Sequence, residues 1–275
     1  MKLKVRLFDK ALYTEYLGFV TAVSTIFSFF SIIIDVETKW KVVVGCILLF
    51  ILIAIYIVKW IAANTRTETI IKVDNSTVVV KVGDLFNEEE LKVVGFNEYF
   101  DTLVGENIIS ERSLNGIYLK GFVEDISDLD SLIENDFEMQ EKVIGTNGGR
   151  RRGKKVKYKL GSIFEHNQYL LTAFSKFDEN NRAYLYMNDY INFLLNMWNE
   201  IDKIYSNRSV TLPLMGSGIT RFKEYTHITD QELLELLLWS FKISRIKFPH
   251  PAKVTIIIHE SKKDKINFHK LKGVL

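Results

Sequence analysis

VTLPLMGSGITRF, residues 210–222, is a β-rich run that enters Gly216-Ser217-Gly218 and continues into Ile219-Thr220-Arg221. Two glycines around one hydroxyl let a backbone approach a ligand closely and turn several N–H groups toward one point. The product is an anion nest suited to phosphate oxygens, with Ser217 and Thr220 as hydroxyl donors and Arg221 as added charge. A tight strand-to-helix turn would use the same glycines, so the segment takes its meaning from what surrounds it.

Outward from that loop, short β-branched or aromatic runs are bounded by polar residues or glycine. They are TIIKV (69–73), TVVVKV (77–82), LKVVGF (91–96), GIYLKGF (116–122), YLLTAFS (169–175) and VTIIIHE (254–260), all read as strands. Between them, MNDYINFLLNMWNEIDKIY (187–205) repeats its apolar residues Ile191, Leu194, Leu195, Trp198 and Ile201 with the helical period. HITDQELLELLLWSFKISRI (227–246) opens on a Thr229/Glu232 capping box before an apolar run. Strands alternating with helices predict a layered α/β domain, and strands apolar on both faces predict inner positions covered by helices. The acidic run 123–138 lacks the glycine and closing glutamate of a calcium loop and reads as a solvated helix face. The basic run GGRRRGKKVKYK (148–159) reads as a mobile hairpin loop, whose best functional use is contact with lipid headgroups.

The N-terminal end is different. YLGFVTAVSTIFSFFSIII (16–34) and VVVGCILLFILIAIYIV (42–58) carry no charge and are separated only by DVETKWK. Coiled as helices, each is close to the hydrocarbon thickness of about 30 Å, and the brief connector predicts an antiparallel hairpin. Tyr16, Trp40 and Trp60 stand at the run ends, where amphipathic rings favour the interface. Lys2, Lys4, Arg6 and Lys10 precede the first run and Lys59, Arg66 and Lys72 follow the second, whereas Asp35 and Glu37 offset Lys39 and Lys41 between them. This bias predicts a multi-pass protein of the inner (plasma) membrane with both termini in the cytoplasm. The expected organisation is a basic cytoplasmic segment 1–15, a transmembrane hairpin 16–60, a tether 61–68 and a cytoplasmic domain 69–275. In the first run Gly18, Thr21, Ser24, Thr25, Ser28 and Ser31 recur at intervals of three and four. They form a small, hydroxyl-bearing stripe expected to meet another protomer.

Composition removes several classes. With 47% hydrophobic and 25% charged residues among 275, the chain is not disordered. With 36 Lys+Arg against 34 Asp+Glu, it is not a globally basic nucleic-acid binder. The lone Cys46 excludes a disulfide framework, a four-cysteine zinc module and a CxxC pair. Ser217 lies outside a G-x-S-x-G elbow, and His166, His227, His250, His259 and His269 bear no motif relation to it. Neither an H-E-x-x-H nor a Walker pattern occurs, so no catalytic residue, metal ligand or cofactor is assigned.

The residues around the glycine loop carry a family resemblance. The loop resembles the second phosphate-binding loop of macro domains, and TVVVKVGDLF resembles their first strand, with Gly83-Asp84 presenting a carboxylate to the adenine amine. VVGFNEYFDTLVGENIISERSLNGIYLKGF (93–122) and KYKLGSIFEHNQYLLTAFSKFDENNRAYL (157–185) look like the divergent macro domain of Thoeris anti-phage effectors, and the two apolar runs match that family's membrane-anchored branch. The resemblance covers roughly residues 70–260. It implies a macro-domain-like mixed α/β sheet flanked by helices, behind a two-helix transmembrane hairpin. It implies a ligand site made by Asp84, by Leu214, Gly216, Ser217, Gly218, Ile219, Thr220 and Arg221, and by an opposite wall of Asn97, Phe100, Asp101, Ser113, Leu114 and Gly116. On that wall Phe100 is expected to pack on a base or ribose, and Asp101 to recognise a ribose hydroxyl or a cationic modification. The Asn-Ala-Ala-Asn and triple-glycine segments of hydrolytic macro domains are replaced by Gly95–Phe100 and Asn107–Gly116. Binding is therefore carried over and hydrolysis is not. The implied function is that of a non-enzymatic anti-phage effector. It would bind an ADP-ribose derivative, such as a histidine–ADP-ribose conjugate, made from NAD by a partner TIR-domain enzyme. It would then oligomerise and injure the lipid membrane, with no nucleic acid involved. The alternatives are a membrane-tethered ADP-ribosyl hydrolase or ADP-ribose reader, and a small channel gated by another nucleotide.

Overall fold

A computed structural model describes residues 3–33, 37–105 and 108–273; Lys2, Ile34, Asp35 and Asn107, which entered the readings above, lie outside the described residues. The chain divides into two units, one reaching Thr67 and including Asn267–Gly273, the other Glu68–Ile266.

The first unit is built on α1 (Lys10–Ile33) and α2 (Thr38–Thr65), both long and apolar enough to cross a membrane. Their polar ends are tied by one buried amide. Asn64 Oδ1 accepts from the N–H groups of Lys4 and Val5 at 2.8 and 2.9 Å, while its Nδ2 donates to Val5 and Trp60 carbonyls. The Tyr16 hydroxyl donates to Leu52 O at 2.9 Å, and its ring meets Tyr56 edge-on. Leu12 is buried and Tyr16, Val20 and Val23 are half-buried, one helical row. The stripe of Gly18, Thr21, Ser24, Thr25, Ser28 and Ser31 is exposed instead. So are bulky residues such as Phe30, Ile32, Leu49 and Phe50, an apolar surface of the kind a bilayer covers.

The second unit runs β1 (Glu68–Val73), β2 (Ser76–Val82), β3 (Leu91–Asn97), α3 (Leu114–Gly121), α4 (Ile126–Asn135), α5 (Phe137–Glu141), β4 (Val143–Thr146), β5 (Val156–Tyr158), β6 (Ile163–His166), β7 (Tyr169–Phe177), β8 (Ala183–Leu185), α6 (Met187–Ile204), β9 (Val210–Pro213), β10 (Arg221–Phe222), α7 (Asp230–Ser244) and β11 (Val254–Ile258). Among the described residues the main sheet has the order β1-β2-β11-β9-β3-β7-β8-β10, with β6 against β7. The β2, β11, β9, β3 and β7 ladders are parallel; β1, β6 and β8 join antiparallel. Val93 and Val94 are adjacent and both fully buried, which places β3 between two helical layers. On one face Val94, Phe96 and Leu171 pack with Tyr118, Leu119, Leu129, Ile133 and Met139. The apolar rows of α6 and α7 meet at Trp198, whose Nε1 donates to Ser240 Oγ at 2.9 Å and whose ring lies edge-on to Phe241.

Three local readings are corrected. GIYLKGF is the body of α3, not a strand. Ser113 caps that helix by accepting from Gly116 N–H at 3.0 Å, and the buried set Asn115, Gly116, Tyr118 and Leu119 follows a helical spacing. The acidic run is more than a solvated face. Asp125 and Asp136 cap α4 and α5, and Asp130 accepts from Thr102 Oγ1 at 2.8 Å while pairing with Lys154 at 2.6 Å. The basic run forms the β4–β5 hairpin, and its loop is anchored through Arg150.

Candidate functional site

The ladder between β3 and β9 stops after Lys92–Thr211, whereas β9 stays paired with β11 as far as Pro213. Beyond that point the central strands part, and a cavity of about 370 Å³ opens at the carboxyl ends of β2, β11 and β9. Its floor is apolar: Leu85, Leu214, Met215, Phe174 and Ile257. Gly95 keeps that floor low, because a Cβ there would stand 3.3 Å from the Met215 methyl and 3.4 Å from Phe174.

The glycine loop forms one wall, with Gly216 through Thr220 all lining the cavity. Gly216 has φ +86°, a conformation natural to glycine, and a Cβ would press on Phe222 at 3.1 Å. Ser217 closes the turn: its N–H and Oγ–H both donate to Leu214 O, at 3.3 and 2.9 Å. Its hydroxyl proton is thus already used, and the donors left for a ligand are backbone ones. No group among the described residues accepts from the N–H of Gly218, Ile219 or Thr220. Three consecutive unpaired donors on a cavity wall suit a phosphate.

At the β2 end, Asp84 is exposed and lines the same cavity. Its Oδ1 accepts from Phe86 N–H at 3.0 Å and fixes the carboxylate's direction, leaving the second oxygen for an amine. At the β3 end, Ser113, Leu114 and Asn115 line the cavity from the start of α3. Ser113 holds that helix in place by donating to Ser110 O at 2.6 Å while capping Gly116. Gly116 itself backs onto Ser110, where a Cβ would come within 2.2 Å of the carbonyl oxygen.

The other sequence-selected residues lie away from this cavity. Phe100 is fully buried with φ +50°, stacked on Phe96 and edge-on to Tyr158. Asp101 is 1% exposed and receives Arg150 bidentately at 3.0 and 2.6 Å. Asn97 donates to Asp101 Oδ2 at 2.9 Å and accepts from the N–H groups of Tyr99 and Asp101. The Arg150 guanidinium also lies 3.9 Å over the Tyr99 ring. Nearby, Lys157 keeps its proton more tightly than usual; burial works against this, but the Glu98 charge and the Tyr99 hydroxyl outweigh it. Arg221 is exposed on β10, beside a second, more polar cavity on the far side of the loop with Asp230, Lys262 and Lys265. The sequence reading did not select Asn115, Arg112, His259, Ser261 and Lys262, which also line the main cavity. Arg112 and Asn115 come from the start of α3, which the strand reading of 116–122 hid, whereas His259, Ser261 and Lys262 come from the turn after β11. Among the described residues no group of three or more His, Cys, Asp or Glu side chains could hold a metal ion.

A mixed sheet that opens over a glycine loop at the ends of its central parallel strands is the architecture of a macro domain. The family model of Thoeris protein ThsA, Macro domain, matches residues 78–259. Thoeris protein ThsA of Bacillus amyloliquefaciens (strain Y2) is 38% identical over 277 aligned residues, covering 98% of this chain and 92% of that protein. The chain belongs to the Thoeris ThsA macro-domain family of anti-phage defence. Among solved structures, a macrodomain mutant of Oceanobacillus iheyensis is 10% identical with a TM-score of 0.46, covering 75% of this chain and 96% of that one. Another mutant of the same macrodomain, with ADPR, is 10% identical with a TM-score of 0.48, covering 75% and 98%.

Proposed function

We propose that the chain is a membrane-anchored defence effector whose macro domain binds an ADP-ribose derivative in the cavity between Asp84 and the start of α3. The observation that carries this reading is the row of unpaired N–H groups at Gly218, Ile219 and Thr220 on the cavity wall. Those donors take the diphosphate, the free Asp84 oxygen takes the adenine amine, and Phe174, Met215 and Ile257 give the sugar and base an apolar floor. The ligand is made from NAD by a partner TIR-domain enzyme, a histidine–ADP-ribose conjugate being the form expected in this branch of the family.

The protein acts as a sensor, not an enzyme. Asn97, the amide nearest to the hydrolase pattern, has both ends of its side chain engaged by Asp101, Tyr99 and their backbone. Both termini lie in the cytoplasm of a multi-pass inner-membrane protein, with the hairpin over 16–60; of the segment 61–68 expected as a tether, α2 runs on to Thr65 and β1 begins at Glu68, so only Arg66 and Thr67 lie between hairpin helix and sensor strand. Ligand clusters the sensors, and the exposed stripe from Gly18 to Ser31 then packs hairpin on hairpin. Small hydroxyl-bearing faces associate in lipid through close packing and interhelical hydrogen bonds. The resulting oligomer damages the membrane.

Calorimetric titration of the full chain in detergent with ADP-ribose and with histidine–ADP-ribose tests the reading. Saturable binding is expected, tighter for the conjugate, with the nucleotide recovered unchanged by chromatography. Absence of binding to either compound overturns it, and recovery of cleaved nucleotide replaces the sensor with a hydrolase.

A further inference from the structure

The turn after β11 is a wall of the cavity and also the start of the chain's last segment. His259, Ser261 and Lys262 line the cavity. They open a 3-10 helix, Glu260–Lys265, which His259 caps: its Nδ1 accepts from Ser261 N–H at 3.3 Å and its carbonyl from Lys262 N–H at 2.8 Å. After the fully buried Ile266 the chain leaves the second unit, and Asn267–Gly273 belong to the first. There Asn267 Nδ2 donates to Lys4 O at 3.1 Å, and the Lys4 ammonium lies 5.5 Å from the centre of the Phe268 ring. The N–H of Lys4 is in turn held by Asn64 near the end of α2. One short stretch of chain therefore runs from the ligand cavity to the polar base of the hairpin. It is hydrogen-bonded through the 3-10 turn and buried at Ile266, so it passes on a displacement instead of absorbing it.

Coupling between sites needs an element with two arrangements that both sites bias. The ion pairs on this stretch supply one. Lys262 and Lys265 share a single oxygen, Asp230 Oδ2, at 3.4 and 3.3 Å, and the Asp230 side chain is 8% exposed. Lys262 also lines both the ligand cavity and the polar cavity beyond the glycine loop. A single carboxylate charge serves two ammonium groups there, both at long range. An anion of two charges arriving in the cavity competes for Lys262, while Lys265 keeps Asp230 paired. A ligand shifts an equilibrium only by what it binds differently in the two states, and Lys262 supplies that difference.

We infer that the segment from His259 to Gly273 is a strap that couples the cavity to the base of the hairpin. Lys262 passes from Asp230 to an anionic ligand such as a nucleoside diphosphate, and the 3-10 turn carries the shift along the chain to Asn267 and so to Lys4. This rests on the reading of the cavity as an ADP-ribose site, and it does not depend on oligomerisation.

Hydrogen exchange of the full chain in detergent tests the strap, with histidine–ADP-ribose added to saturation as judged by calorimetry. In the wild type the amides of Lys4 and Val5, both bonded to Asn64, are expected to exchange about threefold faster with the nucleotide than without it. Insertion of Gly-Gly between Ile266 and Asn267 slackens the strap outside the cavity. It is expected to keep affinity within about threefold and to abolish the acceleration. Asp230→Asn releases Lys262 in advance. Without nucleotide this variant is expected to exchange at Lys4 and Val5 like the liganded wild type, and to bind the nucleotide about threefold tighter. Failure of the wild type to bind would overturn the cavity reading and the strap with it. Binding that leaves the two amides unchanged or slower, or acceleration that survives the insertion, overturns the strap alone. So does an Asp230→Asn variant that exchanges like the ligand-free wild type. If Asp230→Asn unfolds, the insertion decides.

Discussion

Residues 97–101 and residues 214–220 both continue a central parallel strand, β3 in one case and β9 in the other, and both carry polar groups there. They use those groups in opposite ways. In the β3 extension the side chains are engaged internally: Asn97 and Arg150 both donate to Asp101, and Arg150 also reaches Asn181 and the Lys154 carbonyl. In the β9 extension Ser217 closes the turn and the three N–H groups after it find no acceptor among the described residues. Polar residues at a strand end are therefore not a site by virtue of type. What separates scaffold from site is whether the hydrogen-bonding capacity is spent.

The sharpest way to break this contrast is Asp101→Ala. Arg150 is only 7% exposed, so the substitution strands a buried guanidinium, at a cost of about 3–5 kcal/mol. Thermal unfolding of the full chain in detergent should show a midpoint lower by about 10 °C. Molecules that remain folded should bind ADP-ribose within about twofold of the wild type. A variant with ordinary stability and lost affinity would move Asp101 from scaffold to site.

The complementary substitution is Gly218→Leu. A Cβ at Gly218, which lines the cavity, meets nothing within 4 Å and its backbone needs no positive φ, so a side chain there is added without strain. Gly216→Val is the poorer probe, because φ +86° and Phe222 would tax the fold as well. Gly218→Leu should weaken ADP-ribose at least about a hundredfold, near 2.7 kcal/mol, by filling the space over the unpaired N–H groups. Its melting temperature should stay within about 2 °C of the wild type. Wild-type affinity in this variant would place the phosphates elsewhere.

Periodicity made the fold legible where elements are long. The inner strands, α6 and the Thr229-capped α7 stand where their patterns predict, and the glycine loop stands at a strand end. The opposite wall was not legible residue by residue. Asp101 and Phe100 have the chemistry of ligand contacts, and only the return of Arg150 from 49 residues away shows that the carboxylate is already paired. Likewise, GIYLKGF is β-branched and aromatic enough to read as a strand. Ser113 decides for a helix through a cap whose partner is a backbone N–H, and pattern alone does not weigh that.

The smallest expected effect lies wholly on the scaffold side, at Glu200 on α6. Its side chain is 13% exposed, and the carboxylate meets Lys142 at 2.5 Å and Lys203 at 2.7 Å. Burial alone would push its pKa up, but the hydrogen bonds and charges of Lys142 and Lys203 together hold it below the ordinary value. A folded-state pKa lower than the unfolded one means that the unfolded chain binds the proton more readily. The group therefore adds stability above its unfolded pKa, and that stability drains away as pH falls through the folded one. Between about pH 5 and pH 3 the loss should stay under about 1 kcal/mol, since Lys203 is largely exposed and solvent screens its share. Glu200→Gln cannot titrate, so its melting temperature should fall less steeply across that window than the wild type's. The affinity of folded protein for ADP-ribose should not respond to the substitution, because Glu200 does not line the cavity. Melting curves of identical pH slope would mean the pair adds no net stability. A change in affinity would mean that α6 is coupled to the site and that scaffold and site are less separable than their hydrogen bonds imply.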